Sequence, residues 1–227
     1  MSGFEVTPRI LRDQVLEQVE EAIVSGDLKP GDRINEVLLA AQMNVSRGTL
    51  REALRSFEQA GLLVSKPNRG TYVRVIAPED TVEVFELMGI VEGRAVRRAI
   101  ELRGPDLQAV ASTHLERMAE VLTDKSSTPR TRQDADLAMH EAICACAGSE
   151  FLIDTWRRQK GMVLSVVANV GQPVITQVQA AESHQELVDA IATGDPDEAE
   201  RVFQKHWRDA AEAITSAMST AAGRTVS

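Results

Sequence analysis

Apolar positions along most of this chain recur every three to four residues, which is the spacing of an amphipathic helix. Three such segments occupy the N-terminal part, at about 8–25, 36–42 and 46–60. Two β-prone runs follow, at 62–65 and 71–76, with a loop between them that contains Pro67 and Gly70. Three helices followed by a two-stranded hairpin predict a winged helix-turn-helix.

From residue 79 onward every segment keeps the helical period, and Gly or Pro residues mark the breaks. The predicted helices lie at about 79–102, 105–123, 131–147, 149–169, 173–193 and 196–222. No strand pattern interrupts them, so this half predicts a helical bundle. The sequence therefore predicts a mainly α fold, with an N-terminal winged helix-turn-helix over residues 1–76 and an all-α bundle over residues 77–227.

The third predicted helix carries arginine on one face. Arg47, Arg51 and Arg55 recur every four residues, and the opposite face is apolar. Ser46 before it is a good N-cap. Such a helix fits a major groove between two rows of phosphates, although a solvated amphipathic helix has the same pattern. The polar hairpin tip at 66–70 fits phosphate or a minor groove, although any exposed turn collects such residues.

A net charge of −9 over 227 residues by itself disfavours binding to nucleic acid, but the charge is unevenly distributed. Residues 1–76 contain ten basic and ten acidic residues, and residues 77–227 contain fifteen and twenty-four. The segment 45–74 contains six basic residues and only two acidic ones, which is typical of a small DNA-binding module on an otherwise acidic protein. The chain has neither a signal-peptide pattern nor a long apolar run, so we expect a cytoplasmic protein without membrane contact.

Four side chains in the predicted bundle form a candidate metal site. Asp136 and His140 lie four residues apart and share a helical face, while His184 and His206 lie on later helices. Three imidazoles and a carboxylate suit a divalent ion such as zinc or nickel. Isolated histidines are often surface residues, and an Asp–His pair at this spacing is also a common side-chain interaction, so spacing alone leaves both interpretations open.

With both halves described, the sequence resembles the GntR-type transcription regulators of the FadR-like subgroup, which carry an all-helical FCD effector domain. The resemblance covers about residues 8–220. In the N-terminal half it depends on the motifs at 28–36, 45–47, 50–54, 61–63 and 67–70. In the C-terminal half it depends on the candidate metal ligands together with 190–191, 194–195 and Ala199.

The resemblance implies roles for particular residues. The expected DNA contacts are Ser46, Arg47, Thr49 and Arg51 in the recognition helix and Asn68, Arg69 and Gly70 in the wing. The implied metal ligands are Asp136, His140, His184 and His206. It also implies a homodimer that binds a near-palindromic double-stranded operator, more often as a repressor, and a small-molecule effector such as an organic acid that alters operator affinity.

Two positions depart from the family pattern. Gly48-Thr49 stands where many relatives have Thr-Pro, so the operator sequence cannot be transferred from them. Met88 stands where relatives commonly carry an arginine, which is a natural carboxylate clamp. Three alternatives follow for effector binding: the effector relies on the metal, it relies on another basic residue such as Arg94, or it is less acidic. A regulator with a metal-free pocket is one alternative. A metalloenzyme that uses the Asp/His site is another, but it leaves residues 8–76 unexplained, and we expect no enzyme.

Overall fold

The computed structural model describes residues 8–103, 105–170 and 177–225, which form nine helices and one two-stranded sheet. In chain order these elements are α1 Pro8–Val24, α2 Glu36–Gln42, α3 Arg47–Ala60, β1 Leu63–Lys66, β2 Gly70–Val73, α4 Pro78–Arg103, α5 Pro105–Thr123, α6 Pro129–Cys146, α7 Glu150–Val170, α8 Gln177–Ala192 and α9 Pro196–Thr225. The predicted fold class is confirmed. The start predicted for the eighth helix, at residue 173, lies outside the described residues.

Helix α3 begins and ends at residues suited to those positions. The Ser46 side chain accepts a hydrogen bond from the Thr49 amide at 3.1 Å, as an N-cap does. Gly61 ends the helix with φ +86°, a left-handed conformation that favours glycine. The apolar face of the helix is buried, and its members are Leu50, Ala53, Leu54 and Phe57. The arginine face is therefore the one left for solvent or a partner.

The wing is an antiparallel hairpin in which Leu63 pairs with Val73 and Lys66 with Gly70. The segment before α2 pairs with its outer edge, because the Ile34 amide donates to the Thr71 carbonyl at 2.9 Å. Strand β2 ends at Val73, three residues before the predicted end. The reason is that the Ile76 amide donates to Asn169 of α7, so this stretch leaves the hairpin for the bundle.

In the bundle, α4 lies along α9 and also contacts α6 and α7, while α5 packs against α6 and α8. Two glycines of α4 allow this close approach: a Cβ atom added at Gly89 would lie 3.2 Å from the Gln204 Cα atom, and one added at Gly93 would lie 3.2 Å from the Glu200 carbonyl. Among the described residues, no helix combines the length and apolarity needed to cross a membrane.

The N-terminal part packs against α7 through the end of the recognition helix. A Cβ atom added at Gly161 would overlap the Ala60 carbonyl and lie 2.7 Å from the Ala60 Cβ atom. The Gly61 carbonyl accepts hydrogen bonds from the Ser165 hydroxyl at 3.2 Å and the Arg74 Nε at 2.5 Å. We call this set of residues the Gly61–α7 contact. Buried apolar residues of both parts form one continuous cluster around it.

A second contact joins α6 to α1. Arg130 lies in the first turn of α6, and its guanidinium binds Glu20 of α1 at 3.1 Å and Asp134 at 2.7 Å. Its Nη1 atom also donates to the Glu17 carbonyl at 3.4 Å. The side chains of Arg130 and Glu20 are only 16% and 15% exposed, so this pair is part of the interface rather than an isolated surface ion pair.

Candidate DNA-binding surface and metal centre

The arginine face of α3 is accessible. Arg47, Arg51 and Arg55 are exposed, and Thr49 is half-buried where its hydroxyl lies 2.9 Å from that of Ser46. Each exposed arginine has hydrogen-bond donors on a long side chain, while the capped first turn of the helix offers a positive dipole end. The structure thus brings the four predicted recognition-helix residues together on one exposed surface.

The wing tip lies next to this surface. Asn68 has φ +59° and Gly70 has φ +98°, so the loop turns sharply and Arg69 is exposed at its tip. The Tyr72 hydroxyl donates to the Arg69 carbonyl at 3.1 Å and stabilises that turn. Gly70 packs on Arg33: a Cβ atom added there would lie 3.1 Å from the Arg33 Nε atom. Gly70 is therefore needed for both its conformation and its close contact.

A cleft of about 510 Å³ separates the wing from α3. Its lining residues are Arg33, Ile34, Asn35, Glu36, Val37, Arg47, Arg51 and Gly70. Within it, the Arg51 Nε donates to the Glu36 Oε2 at 2.6 Å. Arg33 and Glu36 belong to the family motif at 28–36, but neither was predicted as a site residue. Their place in the site depends on tertiary structure, since the cleft forms only when the hairpin folds back beside α3.

The candidate metal ligands converge inside the bundle. The ligand atoms of His140, His184 and His206 all lie within 4.8 Å of one another. The Nε2 atoms of His140 and His184 are 3.2 Å apart, and the Asp136 Oδ1 lies 3.0 Å from the His184 Nε2. The side chains of His140 and His184 are buried, and that of Asp136 is 30% exposed. Four residues from three helices, α6, α8 and α9, therefore meet at one point.

This arrangement fits a divalent ion. Two ligand atoms at about 2.0–2.2 Å from a zinc-like ion, with bond angles of 90–109°, lie about 2.9–3.5 Å apart. The separations of 3.2 and 3.0 Å match that spacing. Lone pairs of two imidazole nitrogens repel each other at such a distance unless a cation or a proton lies between them. The residue types and the distances both suit a metal ion.

A buried carboxylate behind the cluster was not predicted. Glu92 of α4 is fully buried, and its Oε1 atom lies 2.7 Å from the His140 Nδ1. Its other oxygen accepts a hydrogen bond from the Trp207 indole Nε1. With Nδ1 donating to Glu92, the neutral His140 ring presents its Nε2 lone pair to the cluster. A signal did exist in the sequence: Glu92 interrupts the apolar stripe of Phe85, Met88 and Val96.

Electrostatics favour the metal-binding forms of Asp136 and His206, whereas the charges of Glu92 and Asp136 outweigh burial and raise the pKa of His140. Burial alone would raise the pKa of Asp136, but the His184 hydrogen bond and the nearby histidine charges outweigh it and lower that pKa to about 2. Burial and the neighbouring His184 and His140 lower the pKa of His206 well below its usual value. Asp136 is therefore a carboxylate and His206 a neutral imidazole at neutral pH, which are the states that bind metal.

Two residues of α4 bear on effector binding, Met88 and Arg94, and they lie on different sides of the helix. Met88 is fully buried one turn before Glu92, on the same face of the helix. Arg94 is exposed, two residues after Glu92, and so lies on nearly the opposite side of α4. The structure thus does not bring Arg94 to the histidine cluster. The sequence did not predict the distant position of Arg94, because it did not indicate which side of α4 faces the histidine cluster.

Comparison with known protein families accounts for both halves of the structure. Residues 83–209 match the FCD domain, and residues 11–73 match the bacterial regulatory proteins of the gntR family. The chain belongs to the GntR family of regulators with an FCD domain. It is therefore a transcription regulator and not an enzyme, as expected from the sequence.

Relatives extend this similarity over nearly the whole chain. The "Probable D-xylose utilization operon transcriptional repressor" of Paenarthrobacter nicotinovorans is 31% identical over 202 residues, covering 87% of this chain and 88% of that protein. The HTH-type transcriptional regulator LutR of Bacillus subtilis (strain 168) is 26% identical over 210 residues, covering 85% and 96%. Both relatives are named as regulators of transcription, and the first as a repressor.

Solved structures share the fold. Escherichia coli McbR/YncC superposes with a TM-score of 0.73 at 18% identity, over 90% of this chain and 96% of that one. A GntR-type protein of Rhodococcus sp. RHA1 superposes with a TM-score of 0.70 at 23% identity, over 92% and 98%. At these identities the similarity shows the common architecture of a winged helix-turn-helix and a helical domain.

Proposed function

We propose that this protein is a ligand-responsive repressor that binds a specific operator through α3 and the wing and holds a divalent metal in the bundle. Residues 1–76 form the DNA-binding unit in this proposal, and residues 77–227 bind the effector and dimerise. The observation that carries it is the convergence of Asp136, His140, His184 and His206 in a chain whose other end presents an arginine helix. The repressor relative supports the sign of regulation.

For DNA binding, Ser46, Arg47, Thr49 and Arg51 contact the major groove, and Asn68, Arg69 and Gly70 contact the adjacent backbone or minor groove. Arg51→Ala is expected to abolish binding to a duplex selected by the wild-type protein from a random pool. Arg117→Ala, which removes an exposed arginine from the bundle, is the control. Equal affinities of Arg51→Ala and wild type for the selected duplex would refute the assignment.

For the metal, zinc or nickel fits the ligand set, and the bound ion supplies a Lewis-acidic centre for an oxygen atom of the effector. Elemental analysis of protein purified without a histidine tag tests this. About one equivalent per chain is expected, with loss in Asp136→Ala. Less than about half an equivalent, unchanged in that variant, would instead support the alternative of a metal-free regulator.

The effector in this proposal is a small carboxylate held through the metal, because the buried Met88 offers no guanidinium clamp at its position. A thermal-shift screen of small metabolites, with and without chelator, tests this class, because a ligand that prefers the native state raises its stability. Carboxylates are expected to raise the melting temperature only when metal is present. An effect that is equal in chelator would contradict metal-mediated binding.

Two helices connect the metal site to the DNA-binding part. Helix α6 carries Asp136 and His140 and, in its first turn, Arg130 with its bond to Glu20 of α1. Helix α7 holds the end of α3 through the Gly61–α7 contact. We propose that the effector shifts α6 and α7 and thereby the recognition helix. Amide hydrogen exchange should then change at residues 60–62 and 165–169 when metal and effector are added, and unchanged exchange there would contradict this route.

The active form in this proposal is a homodimer, which places two copies of α3 on a near-palindromic operator. Leu87 and Ile90 on α4 are large apolar side chains that are 41% and 59% exposed. They lie three residues apart on one face, with Arg94 one turn further along. This face supports an interface between two copies. Light scattering on the purified protein tests the dimer directly.

A further inference from the structure

We infer that Glu36 is a positioning residue for base recognition: its carboxylate orients the Arg51 guanidinium and thereby increases discrimination between operator and other DNA. This inference rests on the proposed DNA-binding function and deepens it. The pair joins two elements, since Glu36 lies in the first turn of α2 and Arg51 in the second turn of α3. The Arg51 Nε to Glu36 Oε2 distance is 2.6 Å, a short charge-assisted hydrogen bond.

A positioning role requires a largely buried acceptor and an accessible donor, and the exposures of the two side chains match this requirement. The Glu36 side chain is 22% exposed and lies within the cleft, whereas that of Arg51 is 58% exposed. Glu36 is itself placed by a fixed helix start, because the neighbouring Asn35 side chain accepts a hydrogen bond from the Leu38 amide at 3.1 Å. The carboxylate of Glu36 is therefore fixed in place, and it restrains the longer Arg51 side chain that extends toward solvent.

The bond uses Nε, and an arginine has four further N–H donors on its two Nη atoms. Those atoms are the ones that form a bidentate pair with the O6 and N7 atoms of guanine. An arginine with a restricted guanidinium plane loses less conformational freedom when it forms that pair. Glu36 thus prepares Arg51 for a contact with the correct base without occupying the groups that make it.

A carboxylate beside DNA also has a cost. Glu36 repels phosphates equally on every sequence, so it weakens nonspecific binding, which is almost entirely electrostatic. The benefit of an oriented Arg51 appears only where the matching base is present. The two effects together increase the ratio of specific to nonspecific affinity. An exposed ion pair of this kind contributes little to folding stability, so stability alone does not explain the pairing.

The test uses the full-length protein and two duplexes. One is a consensus duplex selected by the wild-type protein from a random pool, and the other is a scrambled duplex of the same composition. Dissociation constants are measured at one fixed salt concentration for Glu36→Gln, Glu36→Asp and the control Glu52→Gln. Glu52 is exposed on α3, one residue after Arg51, so Glu52→Gln removes the same charge from the same helix.

Glu36→Asp keeps the charge and shortens the side chain by one methylene, which separates geometry from electrostatics. Both Glu36 variants are expected to lose roughly tenfold or more in affinity for the consensus duplex relative to Glu52→Gln. For the scrambled duplex, Glu36→Gln should match Glu52→Gln, and Glu36→Asp should match the wild type. In an Arg51→Ala background, neither Glu36 variant should have any further effect on the consensus duplex, because the residue that Glu36 positions is gone.

Three results overturn the inference, each in a different way. If Glu36→Gln behaves like Glu52→Gln on both duplexes while Arg51→Ala abolishes specific binding, the function stands and the positioning role is wrong. If the Glu36 variants lose affinity equally on both duplexes, their effect is structural, and a lower melting temperature will accompany it. If the wild-type protein enriches no sequence from the pool, the proposed DNA-binding function itself fails and the inference fails with it.

Discussion

Glu92 and His140 form a buried carboxylate–imidazole pair, with the Glu92 Oε1 atom 2.7 Å from the His140 Nδ1. Because the pair joins α4 to α6, it fixes the ring orientation of a candidate ligand from outside the ligand set. The Trp207 indole donates to the second oxygen, and its ring lies 4.9 Å from the His140 ring. The site is thus supported from two sides before any ion binds.

The first prediction concerns this support. Glu92→Gln keeps the shape of the side chain but replaces the carboxylate by an amide, which is a weaker acceptor for the His140 N–H. We expect metal affinity to fall by about 10–100-fold, as is typical when an outer partner of a ligating histidine is changed. Competition with a chromophoric chelator measures it. Glu86→Gln, on the exposed side of α4, is the control, and an affinity equal to that of the control would show that Glu92 does not orient His140.

The sequence predicted a set of candidate ligands but not the residues that support them. Asp136 and His140 stood out because their spacing of four residues places them on one helical face, and the family resemblance favoured His184 and His206 as further candidates. Glu92 precedes His140 by 48 residues, and their contact depends on how α4 packs on α6. Helical periodicity predicts which residues are buried, whereas packing geometry decides which buried residues meet.

The same distinction holds in the DNA-binding part. Ser46 and Gly61 could be predicted as the ends of α3 because capping depends on local chemistry. The Glu36–Arg51 bond could not, because its partners are 15 residues apart on two helices whose crossing is set by tertiary packing. The shortened strand β2 has a similar cause, since the Asn169 side chain that binds Ile76 is 93 residues away.

The second prediction concerns pH. Metal ligands must be deprotonated, so metal affinity should fall as the pH falls through the range in which the histidines take up protons. Asp136 does not contribute to that loss above pH 4, because its pKa is about 2 and it stays ionised. Chelator competition at pH 5.5, 6.5 and 7.5 should show the affinity of the wild type falling with pH. Asp136→Asn should bind more weakly and with a flatter pH slope, because the charges of Glu92 and Asp136 outweigh burial and raise the pKa of His140, and the variant lacks the second of these charges. A wild-type affinity that stays constant over this range would contradict histidine ligation.

The third prediction tests the dimer surface on α4. Ile90 is 59% exposed and lies on the apolar face of α4, so Ile90→Glu places a charge in the proposed interface. Burying that charge against a second copy is costly. Light scattering should shift toward the monomer mass of 24.8 kDa, and affinity for the selected duplex should fall with it. Phe151→Glu, which changes a more exposed apolar residue of α7, should leave the mass unchanged. A dimer that persists in Ile90→Glu would place the interface elsewhere.

The last prediction concerns Gly161, where α7 meets the end of α3. A glycine-to-alanine change in a helix usually stabilises a protein by roughly 0.5–1 kcal/mol, because it restricts the unfolded chain. At Gly161 the added Cβ atom would overlap the Ala60 carbonyl, so backbone atoms must move apart. We expect Gly161→Ala to lower the free energy of unfolding by about 1–3 kcal/mol, as overpacking does in a close-packed interior.

Gly48→Ala provides the matched control, because Gly48 is also helical but exposed, and a Cβ atom there would make only an ordinary contact of 3.6 Å with the Ser46 hydroxyl. The same substitution should therefore have opposite signs at the two sites when both are measured by urea unfolding. Equal stabilisation at Gly48 and Gly161 would mean that α7 does not hold the recognition helix at this distance. A loss of stability at Gly161 alone would show that the two halves pack tightly at the Gly61–α7 contact. A small displacement of α7 must then also move α3.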